Sequence, residues 1–170
     1  MEAELKNKSD DYIQLNNNEN LILRIRDAEG NDTGEYLEFN LEDIELPLRY
    51  QQIIEEDKKN RENFNNKCAN IEKRKDHKGK KLLSSNEEAE IKAMIDFYKR
   101  EVEIYNMFLG ERGVEKLLNG RKLSITTLKE IDEIIETYIL PKLKINVEDI
   151  KKKIMTKYSN NEEKRDDVIE

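Results

Sequence analysis

The chain has 170 residues, with 31 Lys+Arg against 38 Asp+Glu and a formal net charge of -7. Charged residues make up 41% and hydrophobic ones 36%, below the roughly 45–50% apolar content of an ordinary globular domain. No run of roughly 18 apolar residues occurs, which excludes a membrane-spanning helix. A single Cys, a single His and no Trp exclude an internal disulfide and a Cys/His zinc site.

Residues 1–20 are polar and Asn-rich and read as a leader that stays out of any core. The start, Met1-Glu2-Ala3-Glu4-Leu5-Lys6, is too acidic and polar for a secretory signal. With one cysteine, a cytoplasmic location is expected. From Leu21 the pattern alternates with period two. Leu21, Leu23 and Ile25 alternate with Ile22, Arg24 and Arg26, then Leu37, Phe39 and Leu41 with Tyr36, Glu38 and Asn40. Alternation of this kind marks strands with one buried face. Turn-forming residues from Ala28 to Gly34 lie between them. The expectation is a β-hairpin over 21–41, with Arg24 and Arg26 facing Glu38 or Glu35 on the solvent side. A two-stranded hairpin is marginal in water and needs a cover. Its two edges could also pair with another chain.

Pro47 suits the first turn of a helix, and Tyr50, Ile53, Ile54, Phe64, Cys68 and Ile71 recur at helical spacing to about residue 74. Asp57 and Arg61 interrupt this stripe. The middle of the helix is therefore expected to leave the core, as a projecting arm or as a surface completed by another subunit. Ser85-x-x-Glu88 reads as a capping box. Ile91, Met94, Ile95, Tyr98, Val102, Tyr105, Phe108 and Leu109 follow as the strongest amphipathic stripe, ended by Gly110. Val114, Leu117 and Leu118 make a short helix before Asn119-Gly120. Thr127-x-x-Glu130 suggests the next start, with Leu128, Ile131, Ile134, Ile135 and Tyr138 inside and Pro141 bending or ending it. Asn146-x-x-Asp149 is expected to open a last helix through Tyr158, with 159–170 a polar tail. The fold class is thus α+β, mostly α. An N-terminal hairpin is followed by about four to five helices in a single domain over 21–158, whose helical part is 44–158.

No catalytic, cofactor or metal motif accompanies these elements. His77 lies among lysines, where it makes a poor general base, and no phosphate-binding or calcium loop pattern occurs. The composition argues against an enzyme. Two features point to association instead. Phe97 and Ile104 lie off the main stripe and, with Tyr105 and Phe108, are candidates for partner contact, although burial of the helix in the core is the favoured reading of them. Lys73, Arg74, Lys75, Lys78, Lys80 and Lys81 could contact phosphates. The acidic chain and the lack of interleaved aromatics speak against nucleic acid as the partner.

Three segments carry a resemblance. Leu23-Arg24-Ile25-Arg26-Asp27-Ala28-Glu29-Gly30 followed by Tyr36-Leu37-Glu38-Phe39-Asn40-Leu41 is a strand, acidic Gly turn and strand. Asp43-Ile44-Glu45-Leu46-Pro47-Leu48-Arg49-Tyr50 leads into the first helix. Phe108-Leu109-Gly110-Glu111-Arg112-Gly113, continuing to Leu118-Asn119-Gly120-Arg121-Lys122, follows the middle helix. Together, over about residues 21–145, they resemble the small cytoplasmic tail assembly chaperones of long-tailed phages and prophages of Gram-positive bacteria. Leu109, Arg112 and Leu118-Asn119 depart from the family's Phe-Gly-Glu-Gly and Phe-Gly-Gly pattern. The resemblance implies no catalytic residue and no cofactor. It implies binding to the tape measure protein and the tail tube protein during tail assembly. A homo-oligomer is compatible with it. A virion structural or adaptor protein, and a phage-encoded inhibitor of a host defence nuclease, are the alternatives from other classes.

Overall fold

The computed structural model describes residues 20–163, with side chains described outside 144–146 and 157–163. Residues 1–19 of the leader expected over 1–20 and residues 164–170 of the expected tail lie outside that range, while Asn20 belongs to the first strand. Strands β1 (Asn20–Arg26) and β2 (Asp32–Asn40) form the antiparallel hairpin, with Leu21 opposite Phe39, Leu23 opposite Leu37 and Arg24 opposite Tyr36. Pleating sends Leu21, Leu23, Ile25, Leu37 and Phe39 to one face, which is the covered one. Asp27 closes the turn by accepting from the Asn31 backbone N–H at 2.7 Å and its side-chain Nδ2 at 3.1 Å. Gly30 sits there at φ +87, where a Cβ would be strained. The solvent-side pairing differs from expectation. The Arg24 guanidinium reaches Asp32 at 3.8 Å, while Glu38 accepts from Asn20 at 2.6 Å. Glu38 stands opposite Ile22 in the ladder, and the register shift between Arg24 and Arg26 brings Asp32 opposite Arg26.

Helix α1 (Leu46–Glu72) begins with Pro47 in its first turn and runs antiparallel to α2 (Ser85–Leu109). The capping box of α2 lies one residue earlier than expected. Ser84 accepts from the Glu87 N–H at 3.2 Å, and Glu87 accepts from the Ser84 N–H at 2.7 Å. Gly110, at φ +87, ends the helix as expected. A short α3 (Gly113–Leu118) follows so closely that a Cβ on Gly113 would stand 2.4 Å from the Leu109 Cβ. Helix α4 (Ile125–Ile134) is capped by Ser124 with Thr127, not by Thr127 with Glu130.

Pro141 does not end the helix, and Asn146 does not start a new one. Residues Ile135–Ile139 form a π-helical turn, in which the Leu140 N–H donates to the Ile135 carbonyl, and α5 (Leu140–Glu163) continues directly from it. The wider turn lies just where an α-turn would drive the proline ring into the preceding carbonyls. It also shifts the helical phase, so Ile139 is buried and Tyr138 is exposed. The helix extends five residues into the segment expected to be tail.

The core gathers the hairpin face, the start of α1, the end of α2 and the inner faces of α3, α4 and the π turn. Phe108 is its hub, with ring centroids 5.5 Å from both Phe39 and Tyr50. Neither α1 beyond Ile53 nor α2 before Phe97 contributes to this cluster. The distal parts of the pair therefore project as a two-helix arm, roughly 18 Å long from Phe97 to the start of α2 at about 1.5 Å per residue. Among the described residues, no helix is long and apolar enough to cross a membrane.

Candidate partner-binding surface

Helix α2 carries two apolar stripes, and they meet different fates. Ala93, Phe97, Glu101, Ile104 and Phe108 recur at steps of three and four and face α1. Phe97 packs on Phe64 of α1 with centroids 5.2 Å apart. The second stripe lies about a third of the way round the helix and runs through Ile91, Met94, Ile95, Tyr98, Val102, Tyr105 and Leu109. Its C-terminal half is covered. Tyr105 and Leu109 are buried, and the Tyr105 hydroxyl donates to Asp132 of α4 at 2.5 Å. Burial and the Asp132 carboxylate push that phenol well above its ordinary range. Towards the arm this cover ends, and Ile91, Met94 and Ile95 are 39%, 40% and 48% exposed. Spaced at i, i+3 and i+4, they form a continuous apolar ridge on the arm.

This arrangement corrects the partner contacts expected from the sequence. Ile104, Tyr105 and Phe108 have relative exposures of 3% or less and belong to the core, so no partner reaches them in the folded protein. Phe97 is half-buried and lines a groove of about 570 Å³ between the arm helices, together with Asn60, Asn63, Phe64, Lys67 and Asp96. The residues expected off-stripe form the first stripe, filled by α1. The exposed contacts lie instead on the stripe expected to be core.

At the root of the arm the packing is polar, and Asp57 and Arg61 lie there, where α1 leaves the core as expected. They pair with each other at the edge of the α1–α2 contact, with Asp57 partly buried and the Arg61 side chain 53% exposed. Glu101 is fully buried. Its Oε1 accepts from Asn60 Nδ2 at 2.6 Å, while Oε2 is buried without a hydrogen-bond partner. The same Asn60 amide reaches the Phe97 carbonyl at 3.2 Å, and Arg61 donates to Asp57 at 2.9 Å. Burial pushes the Glu101 carboxyl up to about 7. Asn60 and Arg61 oppose the shift and the Asp57 charge adds to it. Protonated, Glu101 offers Asp57 a donor, which satisfies the otherwise orphaned oxygen. Sequence reasoning missed this site. Its signal was a lone carboxylate at the α1-facing step between Phe97 and Ile104.

The six cations Lys73, Arg74, Lys75, Lys78, Lys80 and Lys81 lie at the tip of the arm, all exposed. The tip loop is well tied. Asp76 accepts from the Asn86 N–H at 3.0 Å, the His77 N–H at 2.9 Å and the Ser85 hydroxyl at 3.1 Å. Asn86 Nδ2 donates to the Ile71 and Arg74 carbonyls at 3.2 Å each. Those backbone donors, that of Asn86 first, hold the Asp76 carboxyl below its ordinary range. The only acid of the tip is thus used by the turn, and none of the six cations forms an ion pair among the described residues. Leu82, 89% exposed, stands beside them.

Among the described residues, no group of three or more His, Cys, Asp or Glu side chains is placed to hold a metal ion. No protein-family model, curated protein or solved structure matches this chain.

Proposed function

We propose that this protein is a tail assembly chaperone of a long-tailed phage, which binds the tape measure protein and hands it to the tail tube protein. One observation carries the reading: the Ile91–Met94–Ile95 ridge on a projecting arm, left uncovered by the described chain. An apolar stripe at helical spacing suits the apolar face of a partner helix. A long helical partner with such a face would aggregate alone, and a chaperone of net charge -7 would hold the complex in solution. The sequence resemblance supplies the choice of partner.

The test is co-expression with the large helical protein encoded downstream, measuring its soluble fraction and co-purification. The wild-type chain is expected to solubilise it, and a chain carrying Ile91→Asp and Ile95→Asp is expected not to. Both positions are exposed, so the double variant should retain its helical circular dichroism. A partner that stays insoluble with the wild type, or is rescued equally by the variant, would remove the proposal.

A further inference from the structure

The hairpin has two outer edges, and they are not equivalent. Along β2, Lys116 of α3 donates to the Tyr36 carbonyl at 3.2 Å and lies 5.6 Å from the centre of its ring. The Tyr36 carbonyl therefore points away from β1, which makes Arg24–Tyr36 a non-hydrogen-bonded pair of the ladder. The Thr33 hydroxyl, reaching the Ile25 carbonyl at 2.8 Å from the β2 side, fixes the same phase. Leu21, Leu23 and Ile25 thus spend their backbone groups on β2. Ile22, Arg24 and Arg26 turn their N–H and C=O groups to the outer edge, where none has a partner among the described residues.

A groove of about 430 Å³ runs along this edge. Five consecutive residues of β1, 22–26, form one wall, and Leu117, Ile134 and Tyr138 form the apolar opposite side. Its charged groups are all arginines: Arg24, Arg26 and Arg121. Arg121 is engaged by Glu130 at 2.7 Å, and Arg24 is held only loosely by Asp32 at 3.8 Å. Arg26 makes no ion pair among the described residues. Of the devices that protect natural edges, β1 lacks proline and a bulge of its own, since the extra residues of the register shift belong to β2, and carries only the charges of Arg24 and Arg26.

We propose that the outer edge of β1 accepts one extended segment of a partner protein as a third strand, and that this segment alternates apolar and acidic residues. Backbone pairing with Ile22, Arg24 and Arg26 supplies sequence-independent affinity. Pleating then sends alternate side chains towards Leu117, Ile134 and Tyr138, and the others to the exposed face beside Arg24 and Arg26. The arginines also select against a second copy, because antiparallel pairing of β1 with itself sets like charges side by side. This surface is separate from the ridge on α2, so either can fail without the other.

The probe is a capped eight-residue peptide of alternating valine and glutamate, titrated into the full chain while amide hydrogen exchange is followed by NMR. Saturable binding is expected, with the Ile22, Arg24 and Arg26 amides slowing by about tenfold or more. The amides of Leu21, Leu23 and Ile25 should be protected already in the free protein. Methylating the alternate peptide nitrogens that face β1 should weaken binding by about tenfold or more, since each methyl removes a ladder hydrogen bond. A valine–lysine peptide should not bind. The variant Arg24→Glu with Arg26→Glu should lose the peptide while keeping its circular dichroism. Absence of binding, binding that survives N-methylation, or binding that leaves those three amides unprotected would overturn the proposal. Protection that grows with protein concentration alone would overturn it too, by giving the edge to a second copy.

Discussion

The same two helices behave differently at their two ends. At the body end, α1 and α2 meet the hairpin and α4 as well as each other. Ile53, Ile104, Tyr105 and Phe108 are sealed there from several sides. In the arm the helices have only one another, through Phe64 on Phe97, the small Ala93 and ion pairs such as Arg100–Glu56 at 3.0 Å and Lys67–Asp96 at 3.6 Å. Exposed pairs of this kind are screened by solvent and contribute little to stability. Two helices in contact bury one stripe apiece, and a helix with two stripes needs a third neighbour. Helix α2 has that neighbour over half its length.

On this contrast, a truncation in the body must cost far more than one in the arm. Phe108→Ala should destabilise the protein by about 3–5 kcal/mol in chemical denaturation, through lost burial and the cavity left between Phe39 and Tyr50. Gly113→Ala comes next. Its new methyl collides with the Leu109 Cβ rather than with a flexible side-chain end, for an expected loss of about 1–3 kcal/mol. Ile91→Ser or Ile95→Ser on the arm should stay within about 0.5 kcal/mol of wild type. A large loss there would mean that the ridge is already covered within the chain.

The junction between the two regions should respond to pH. Glu101 titrates near 7 in the folded protein and at its ordinary 4.5 when unfolded. The folded state therefore holds the extra proton between those values. Its stabilising effect is full below pH 4.5 and is lost as pH rises through 7. The window is worth at most about 3 kcal/mol. Glu101→Gln keeps the shape, supplies Asp57 with a permanent donor and should flatten this dependence. Denaturation midpoints at pH 5 and pH 8 that shift equally in wild type and variant would show that Glu101 carries no such proton.

The hairpin is legible in the sequence because period-two alternation lines up one face of a strand, whereas a helix would scatter the same residues around its axis. The last turn of α2 is legible because Gly110 takes a positive φ that favours glycine. The start of α2 is ambiguous by one residue. Ser84-Ser85-Asn86-Glu87-Glu88 offers two equivalent boxes in sequence. Asp76, nine residues away from Ser85, decides between them by taking the Ser85 hydroxyl. Pro141 follows its local rule in sequence, and the tertiary packing of Ile139 and Leu143 overrides that rule with a π turn. The candidate surface is the least legible part. Spacing shows that α2 has apolar residues in abundance, but which stripe finds a neighbour depends on where α4 ends.

The use of Asp76 by the tip turn makes the molecule a strongly polarised object. Six cations against one acid give residues 73–81 a charge of +5, and the chain's -7 then leaves -12 for everything else. The cluster stands roughly 18 Å beyond Phe97 along α2, about two screening lengths at physiological ionic strength, where that length is about 8 Å. A charged surface approaching the tip therefore meets a local cation rather than an acidic protein. Molecules of this chain should turn end-on to any polyanion before they touch it.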